Sequence, residues 1–327
     1  MRYVSRLNYA IRAPHVVRHL AFLFALKLAA TWRGVNPAKR EPVMTALQQL
    51  PLASQLDILS EESSARPEVF PRIIFQTWKI RSPLPHNYAF WSQTFAVHHP
   101  DHKHVIWDDL DNRAFIELHF PWFLPTYDAY PREILRADAV RYFFLYLFGG
   151  LYVDMDTECL GPVSFDTRIG QVWLGQMGQD TSSKHSIPNA IMASTPRQSF
   201  WLFVVSLMEE RAAEFRKARS GDPIGVEYFT GPILLRDAYL SYLRDPQGSL
   251  AKVKNIAERL SGELRPATPR SQIVLLPASD WFPLDWRNPI HKAIRRELMR
   301  RELVVPPGLS RRLFPRSRLL TYWTHSW

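Results

Sequence analysis

The chain has one cysteine, Cys159, among its 327 residues, so it can close no internal disulfide and its redox compartment stays open. It has no Asn-x-Ser/Thr triplet, which argues against residence in a glycosylating lumen. No clear spanning segment is present either. The apolar stretch Leu20 to Ala30 is interrupted by Lys27 and falls well short of the ~20 residues a spanning helix needs. Internal repeats are absent. Residues 1–40 lack any Asp or Glu but hold eight Lys or Arg, a pattern that suits an interfacial amphipathic helix, a degenerate signal-anchor or a transit peptide. Disorder and fibrous structure are excluded by a composition that is 46% hydrophobic, 13% aromatic and 22% charged.

The net charge of +10 is unevenly spread. Residues 287–327 carry ten Lys or Arg against Glu297 and Glu302, so each end of the chain nets +8 and the middle nets −6. Nucleic-acid binders concentrate basic charge on the folded core, and here the core is acidic. Basic ends around an acidic middle fit an anionic membrane surface. The expected placement is therefore membrane-associated, peripheral or through an N-terminal anchor, with no nucleic-acid partner.

Residues 34–70, with Pro37, Pro42, Pro51 and Pro67, read as a linker with a short helix around Met44 to Leu50. After Phe70-Pro71 the pattern changes. Arg72 to Gln76 and His104 to Trp107 read as strands, and His86 to His98 as a helix between them. Arg132 to Phe148 is a second helix, ended by Gly149-Gly150, where glycine supplies a left-handed cap. Leu151-Tyr-Val153 is then a buried strand. Short strands alternating with helices indicate an α/β sheet. Ile290 to Leu303 reads as a basic helix before the breaker Pro306-Pro307-Gly308.

The chemistry centres on Gly149-Gly-Leu-Tyr-Val-Asp-Met-Asp-Thr-Glu158. An apolar strand runs into Asp154 and Asp156, which in extended geometry point the same way. Two such carboxylates suit Mn²⁺ or Mg²⁺, ions that keep open positions for diphosphate oxygens and neutralise a leaving nucleotide. In open α/β sheets ligands bind at the carboxyl ends of strands, and these acids follow such an end. Upstream, Asp138 and Arg141 are three apart and share a helix face. They form either a solvated salt bridge or part of the pocket.

With these motifs the chain resembles glycosyltransferase family 32, which includes fungal inositol-phosphoceramide mannosyltransferases and is distantly similar to clostridial glucosylating toxins. The similarity covers about residues 70–240 and the extreme C-terminus. It rests on Pro71 to Trp78, His99 to Trp107, Pro121 to Leu124, Arg136 to Tyr142, Gly149 to Asp156, Thr230-Gly-Pro232 and His325-Ser-Trp327, in that order. The resemblance implies an α/β fold of GT-A type, a Rossmann-like central sheet with flanking helices, and transfer with retention of anomeric configuration. It implies that Trp78 stacks on the nucleobase, that Asp138 and Arg141 hold sugar and ribose hydroxyls, and that Asn189 lies near the donor sugar. Asp156 would bind the metal directly and Asp154 directly or through water and ribose. His325, Ser326 and Trp327 would close over the diphosphate, with His325 available to the metal. The expected donor is a nucleotide-sugar, GDP-mannose favoured over a UDP-sugar, and the expected acceptor is a lipid of the inositol-phosphoceramide type. A Golgi placement would follow for a secretory-pathway enzyme. On this reading residues 1–70 form a basic membrane-associating segment and linker, 71–286 the catalytic domain, and 287–327 a basic helix and a tail closing the donor site.

Three other readings compete. One is a UDP-sugar-dependent transferase acting on a polysaccharide or protein. The second is a non-catalytic basic membrane-binding protein. The third is a haloacid-dehalogenase-type phosphatase, whose motif wants Thr or Val where Glu158 stands. His98, His99, His102 and His104 straddle a Pro-Asp turn and read as surface histidines rather than a metal cluster. Trp122, Phe123, Trp201 and Phe203 read as core, and Cys159 as a buried apolar residue.

Overall fold

Ile73-Ile-Phe-Gln-Thr77 combines β-branched and aromatic residues that suit a pleated backbone, and in the computed structural model it forms β1 (Ile73–Thr77). The structure describes residues 46–64, 69–80, 83–215, 225–285, 288–289, 291–293, 296 and 309–324. Strand β1 pairs in parallel with β2 (Lys103–Trp107) and with β3 (Gly150–Val153). Beside β3 lies β6 (Ile191–Ser194), which runs against it, followed by β5 (Val172–Gly175) and β7 (Ile273–Leu276). The six-stranded order is β2-β1-β3-β6-β5-β7, parallel but for β6. A separate two-stranded ladder joins β4 (Thr157–Cys159) to β8 (Leu319–Thr321), Thr157 facing Thr321.

Parallel neighbours need crossover connections, and helices supply them. Helix α1 (Leu52–Ser64) precedes the sheet, and α2 (His86–His98) links β1 to β2. Helices α3 (Asp109–His119) and α4 (Glu133–Leu147) lie between β2 and β3. Later come α5 (Ser199–Phe215), α6 (Pro232–Arg244) and α7 (Pro246–Ala257). Helix α3 starts on a reciprocal cap: Asp108 accepts from the amides of Leu110 and Asp111, and Asp111 accepts from the amide of Asp108.

Successive residues of β1 feed opposite faces of the sheet. Phe75 stacks on Phe144 of α4 at 4.7 Å, and Trp107 meets the same ring edge-on at 4.8 Å. Ile74 points the other way, into a cluster with Leu151, Val153, Trp173 and Trp281. Phe123, Trp201 and Phe203 are core, as expected, while Trp122 is only partly buried against it.

Gly149, at φ +68, caps α4 as the sequence predicts. Gly150 follows at φ +89, and a Cβ there would lie 2.6 Å from the carbonyl oxygen of Ile73. The two glycines let the chain leave a helix and enter the sheet at once, placing the end of β3 directly beside β1.

The linker reading of residues 34–70 needs correction. Leu52–Ser64 is a helix, with Leu56 and Leu59 buried and Gln55 accepting a 2.9 Å bond from the Trp107 indole. Pro51 stands just before its first turn, where proline does no harm. The basic segment 1–40, most of Ile290–Leu303, and His325, Ser326 and Trp327 lie outside the described residues. Among the described residues no helix is long and apolar enough to cross a membrane.

Candidate active site

At the carboxyl ends of β1 and β3 the sheet opens into a cavity of about 520 Å³. Trp78, Asp138, Arg141, Asp154, Asp156 and Asn189 all line it. Six residues spread over more than a hundred positions thus converge. The two carboxylates are carried differently from the strand-end expectation. Strand β3 stops at Val153, and Asp154 to Thr157 form a turn closed by a 3.1 Å bond from the Thr157 amide to the Asp154 carbonyl. A turn presents both acids to one space without needing strand alternation.

Arg141 organises the floor of the cavity. Its guanidinium lies 2.7 Å from Asp138 Oδ1 and 3.1 Å from Asp154 Oδ1, and donates to the Asn189 carbonyl at 2.8 Å. It also sits over the Tyr152 ring, 4.6 Å from the centroid. Asn189 closes the loop by donating from Nδ2 to Asp138 Oδ1 at 3.1 Å. The Asp138–Arg141 pair is therefore a buried ion pair inside the pocket and not a solvated one. Burial pushes the Asp138 carboxyl up to about 6 even though Arg141 pulls the other way.

Asp154 Oδ1 also accepts from the Tyr152 hydroxyl at 2.9 Å. Asp156 Oδ2 accepts from the amide of Thr324 at 2.7 Å and from its hydroxyl at 3.0 Å. In each acid one oxygen is committed, and the other takes no bond from another described residue. Burial raises both carboxyls, and the neighbouring charge of Asp154 helps push Asp156 to about 6. Two disfavoured anions facing one cavity suit a hard divalent cation. Among the described residues no group of three or more His, Cys, Asp or Glu side chains gathers to hold one, in keeping with Mg²⁺-type ions that are bound by one or two carboxylates and completed by substrate phosphates.

Trp78, Tyr88 and Trp323 also line the cavity, and further aromatic residues pack behind them. Trp78 packs against Tyr88 of α2, ring centroids 4.6 Å apart, and the Tyr88 hydroxyl donates to Thr324 Oγ1 at 2.9 Å. Tyr322 stacks on Trp91 at 4.6 Å and donates to Glu158 at 2.5 Å. Between them Trp323 adopts φ +54, which costs a bulky residue of order 1–3 kcal/mol. It is held there by a 2.6 Å bond from its indole N–H to the Leu284 carbonyl and by stacking on Phe282.

Tyr152, Tyr88, Thr324 and Gln76 brace the site beyond the residues that the sequence motifs pick out. Tyr152 was findable, since it stands two before Asp154 in a strand. Gln76 bridges elements: its Oε1 accepts from Ser92 at 2.6 Å and lies 2.8 Å from His104 Nε2. Of the four histidines, His99 and His104 are buried rather than at the surface, and burial holds both down to about 4. Cys159 is buried, its thiol pushed up to about 12 by burial.

Residues 85–176, from α2 through the Asp154 turn to β5, match the family described as "Glycosyltransferase sugar-binding region containing DXD motif". Over these residues the chain is similar to that family. The chain is 30% identical over 226 residues to inositol phosphoceramide mannosyltransferase 2 of Schizosaccharomyces pombe, covering 68% of this chain and 59% of that one. It is 33% identical to inositol phosphoceramide mannosyltransferase 3 of the same yeast, over 58% of this chain and 49% of that one. It is also 32% identical to an initiation-specific alpha-1,6-mannosyltransferase of Candida albicans, over 42% and 37%. The chain thus spans roughly half the length of the curated relatives it matches. A solved structure titled PaToxG Glycosyltransferase aligns at a TM-score of 0.38 and 16% identity, over 72% of this chain and 83% of that one, a likeness too loose to carry weight.

Proposed function

We propose that the protein transfers mannose from GDP-mannose to a lipid acceptor of the inositol-phosphoceramide type, with retention, in a Mn²⁺- or Mg²⁺-dependent reaction. The observation that carries this reading is the convergence of Asp154 and Asp156 with Asp138, Arg141 and Asn189 in one cavity. The names of the yeast relatives support mannose and the lipid acceptor.

In this reading Asp154 and Asp156 would hold the cation, which when bound neutralises charge on the diphosphate. The face of Trp78 offers the nucleobase a stacking surface. Asp138 accepts, and Asn189 and Arg141 donate, hydrogen bonds around the sugar hydroxyls, fixing the anomeric carbon toward the acceptor. Because these groups are already locked to one another, they need little reorganisation as charge develops. The leaving phosphate can take the acceptor's proton, so the enzyme supplies positioning and electrostatics and needs no nucleophile of its own. His325, Ser326 and Trp327 are proposed to cover the diphosphate, since Thr324 already reaches Asp156. The basic ends of the chain are proposed to bring the enzyme to an anionic membrane, peripherally or through an N-terminal anchor.

A second acceptor is a polysaccharide or protein, and the name of the Candida relative, an alpha-1,6-mannosyltransferase, specifies no lipid. Incubating the purified chain with GDP-mannose and Mn²⁺ and offering inositol phosphoceramide in mixed micelles or a mannan oligosaccharide separates the two. An α-mannosylated lipid supports the first reading. Product on the oligosaccharide alone, or turnover with UDP-sugars only, overturns it.

A further inference from the structure

The last described residue of the chain bonds the candidate metal site directly. Thr324 gives Asp156 Oδ2 both its amide, at 2.7 Å, and its hydroxyl, at 3.0 Å. The same hydroxyl oxygen accepts from Tyr88 at 2.9 Å. Its single proton is therefore directed, and the bonds run one way, from Tyr88 O–H to Thr324 O–H to the carboxylate. All three residues are buried.

The backbone is shaped to make this contact. Strand β8 is paired with β4 as far as Thr321, and the Tyr322 amide still bonds the Asp156 carbonyl at 2.9 Å. Thr321 already faces Thr157, the first residue of β4, and beyond it Trp323 turns the chain at φ +54. That turn presents the amide and side chain of Thr324 to the Asp156 carboxylate. A strained conformation persists only where its surroundings enforce it, and here the Leu284 carbonyl and the Phe282 ring hold the Trp323 indole in place.

We propose that Thr324 is a positioning residue for metal binding: it clamps one oxygen of Asp156 so that the other is presented to the cation. Tyr88 ties this clamp to the wall that Trp78 forms, so base-side and metal-side geometry are set together. The inference rests on the reading of Asp154 and Asp156 as metal ligands. Partners that orient a ligand affect metal affinity about 10- to 100-fold when removed.

The test is Mn²⁺ binding to the full chain with GDP, followed by the electron-paramagnetic signal of free Mn²⁺, alongside the thermal midpoint in EDTA. Thr324→Val keeps shape and the amide bond but removes the hydroxyl. It should weaken Mn²⁺ binding about tenfold or more with little change in the midpoint. Thr324→Ser, which restores the hydroxyl, should bind as the wild type does. Tyr88→Phe keeps both ring contacts and should weaken binding by about threefold, and it carries the test if Thr324→Val does not fold. Wild-type Mn²⁺ affinity in Thr324→Val, or in Tyr88→Phe where the valine variant fails to fold, overturns the proposal. A wild-type chain that binds no Mn²⁺ at all instead overturns the metal reading on which it rests.

Discussion

The guanidinium of Arg141 faces two carboxylates and a main-chain carbonyl in a buried site. Its removal would strand Asp138 and Asp154 without a counter-charge. Arg141→Met should therefore cost about 3–5 kcal/mol, read as a lower urea midpoint, and a variant as stable as the wild type would contradict the buried network. Trp78 has a different role. It lines the cavity and leans on Tyr88, so Trp78→Ala should raise the donor KM roughly tenfold, about 1–3 kcal/mol by analogy with base stacking. A change in the acceptor KM alone would move Trp78 to the other side of the cleft. His104 supplies a pH signature. Its folded value is held near 4 by burial, against an ordinary 6.5. Between those values the unfolded chain takes a proton that the folded one refuses, so this contribution is present above pH 6.5 and lost as pH falls toward 4. His99 acts in the same sense, and Asp109, Asp138 and Asp156, raised to about 6, in the opposite one. A comparison with His104→Gln cancels these. Between pH 6.5 and 4 the wild type should lose up to about 1.4 kcal/mol per pH unit more than the variant. Parallel stability curves would show that His104 is not held neutral.

At the scale of elements, the strand–helix–strand order and the Gly149–Gly150 corner were legible because each has a local cause. β-branched runs, a left-handed cap and a Pro-Asp turn can all be read within a few residues. Gly150→Ala tests the corner. With φ at +89 and the Ile73 carbonyl 2.6 Å from the new Cβ, it should destabilise by about 1 kcal/mol or more. An unchanged melting temperature would mean that the β1–β3 contact can relax. Helix α1 was not legible, because prolines on either side of it gave the segment the composition of a linker. Nor was the Asp154–Asp156 turn, since an Asp-x-Asp spacing fits a strand end and a turn equally well.

At the scale of the whole molecule, what escaped the sequence was long-range. Thr324 and Asp156 are 168 positions apart and Tyr88 and Thr324 are 236 apart, and no local pattern announces such pairs. Five residues of the candidate site were legible because ordered motifs named them, and Asn189 through the resemblance, whereas Tyr88 and Thr324, which brace them, were visible only in the folded chain. The return of β8 onto β4 bears on how the tail is used. Deleting His325–Trp327 should lower donor turnover by orders of magnitude while the melting temperature without nucleotide barely moves, because β8 and Thr324 remain. A fall in stability with activity lost only in proportion would make the tail a structural plug. The central claim, a cation-dependent nucleotide-sugar site at Asp154 and Asp156, is met most directly by one assay. Purified wild type and Asp156→Asn would be incubated with GDP-mannose and saturating Mn²⁺, with an EDTA control, and released GDP measured. The account predicts steady GDP release by the wild type, none in EDTA, and none by a variant that melts at the wild-type temperature. Full release by Asp156→Asn, or release unaffected by EDTA, would contradict it.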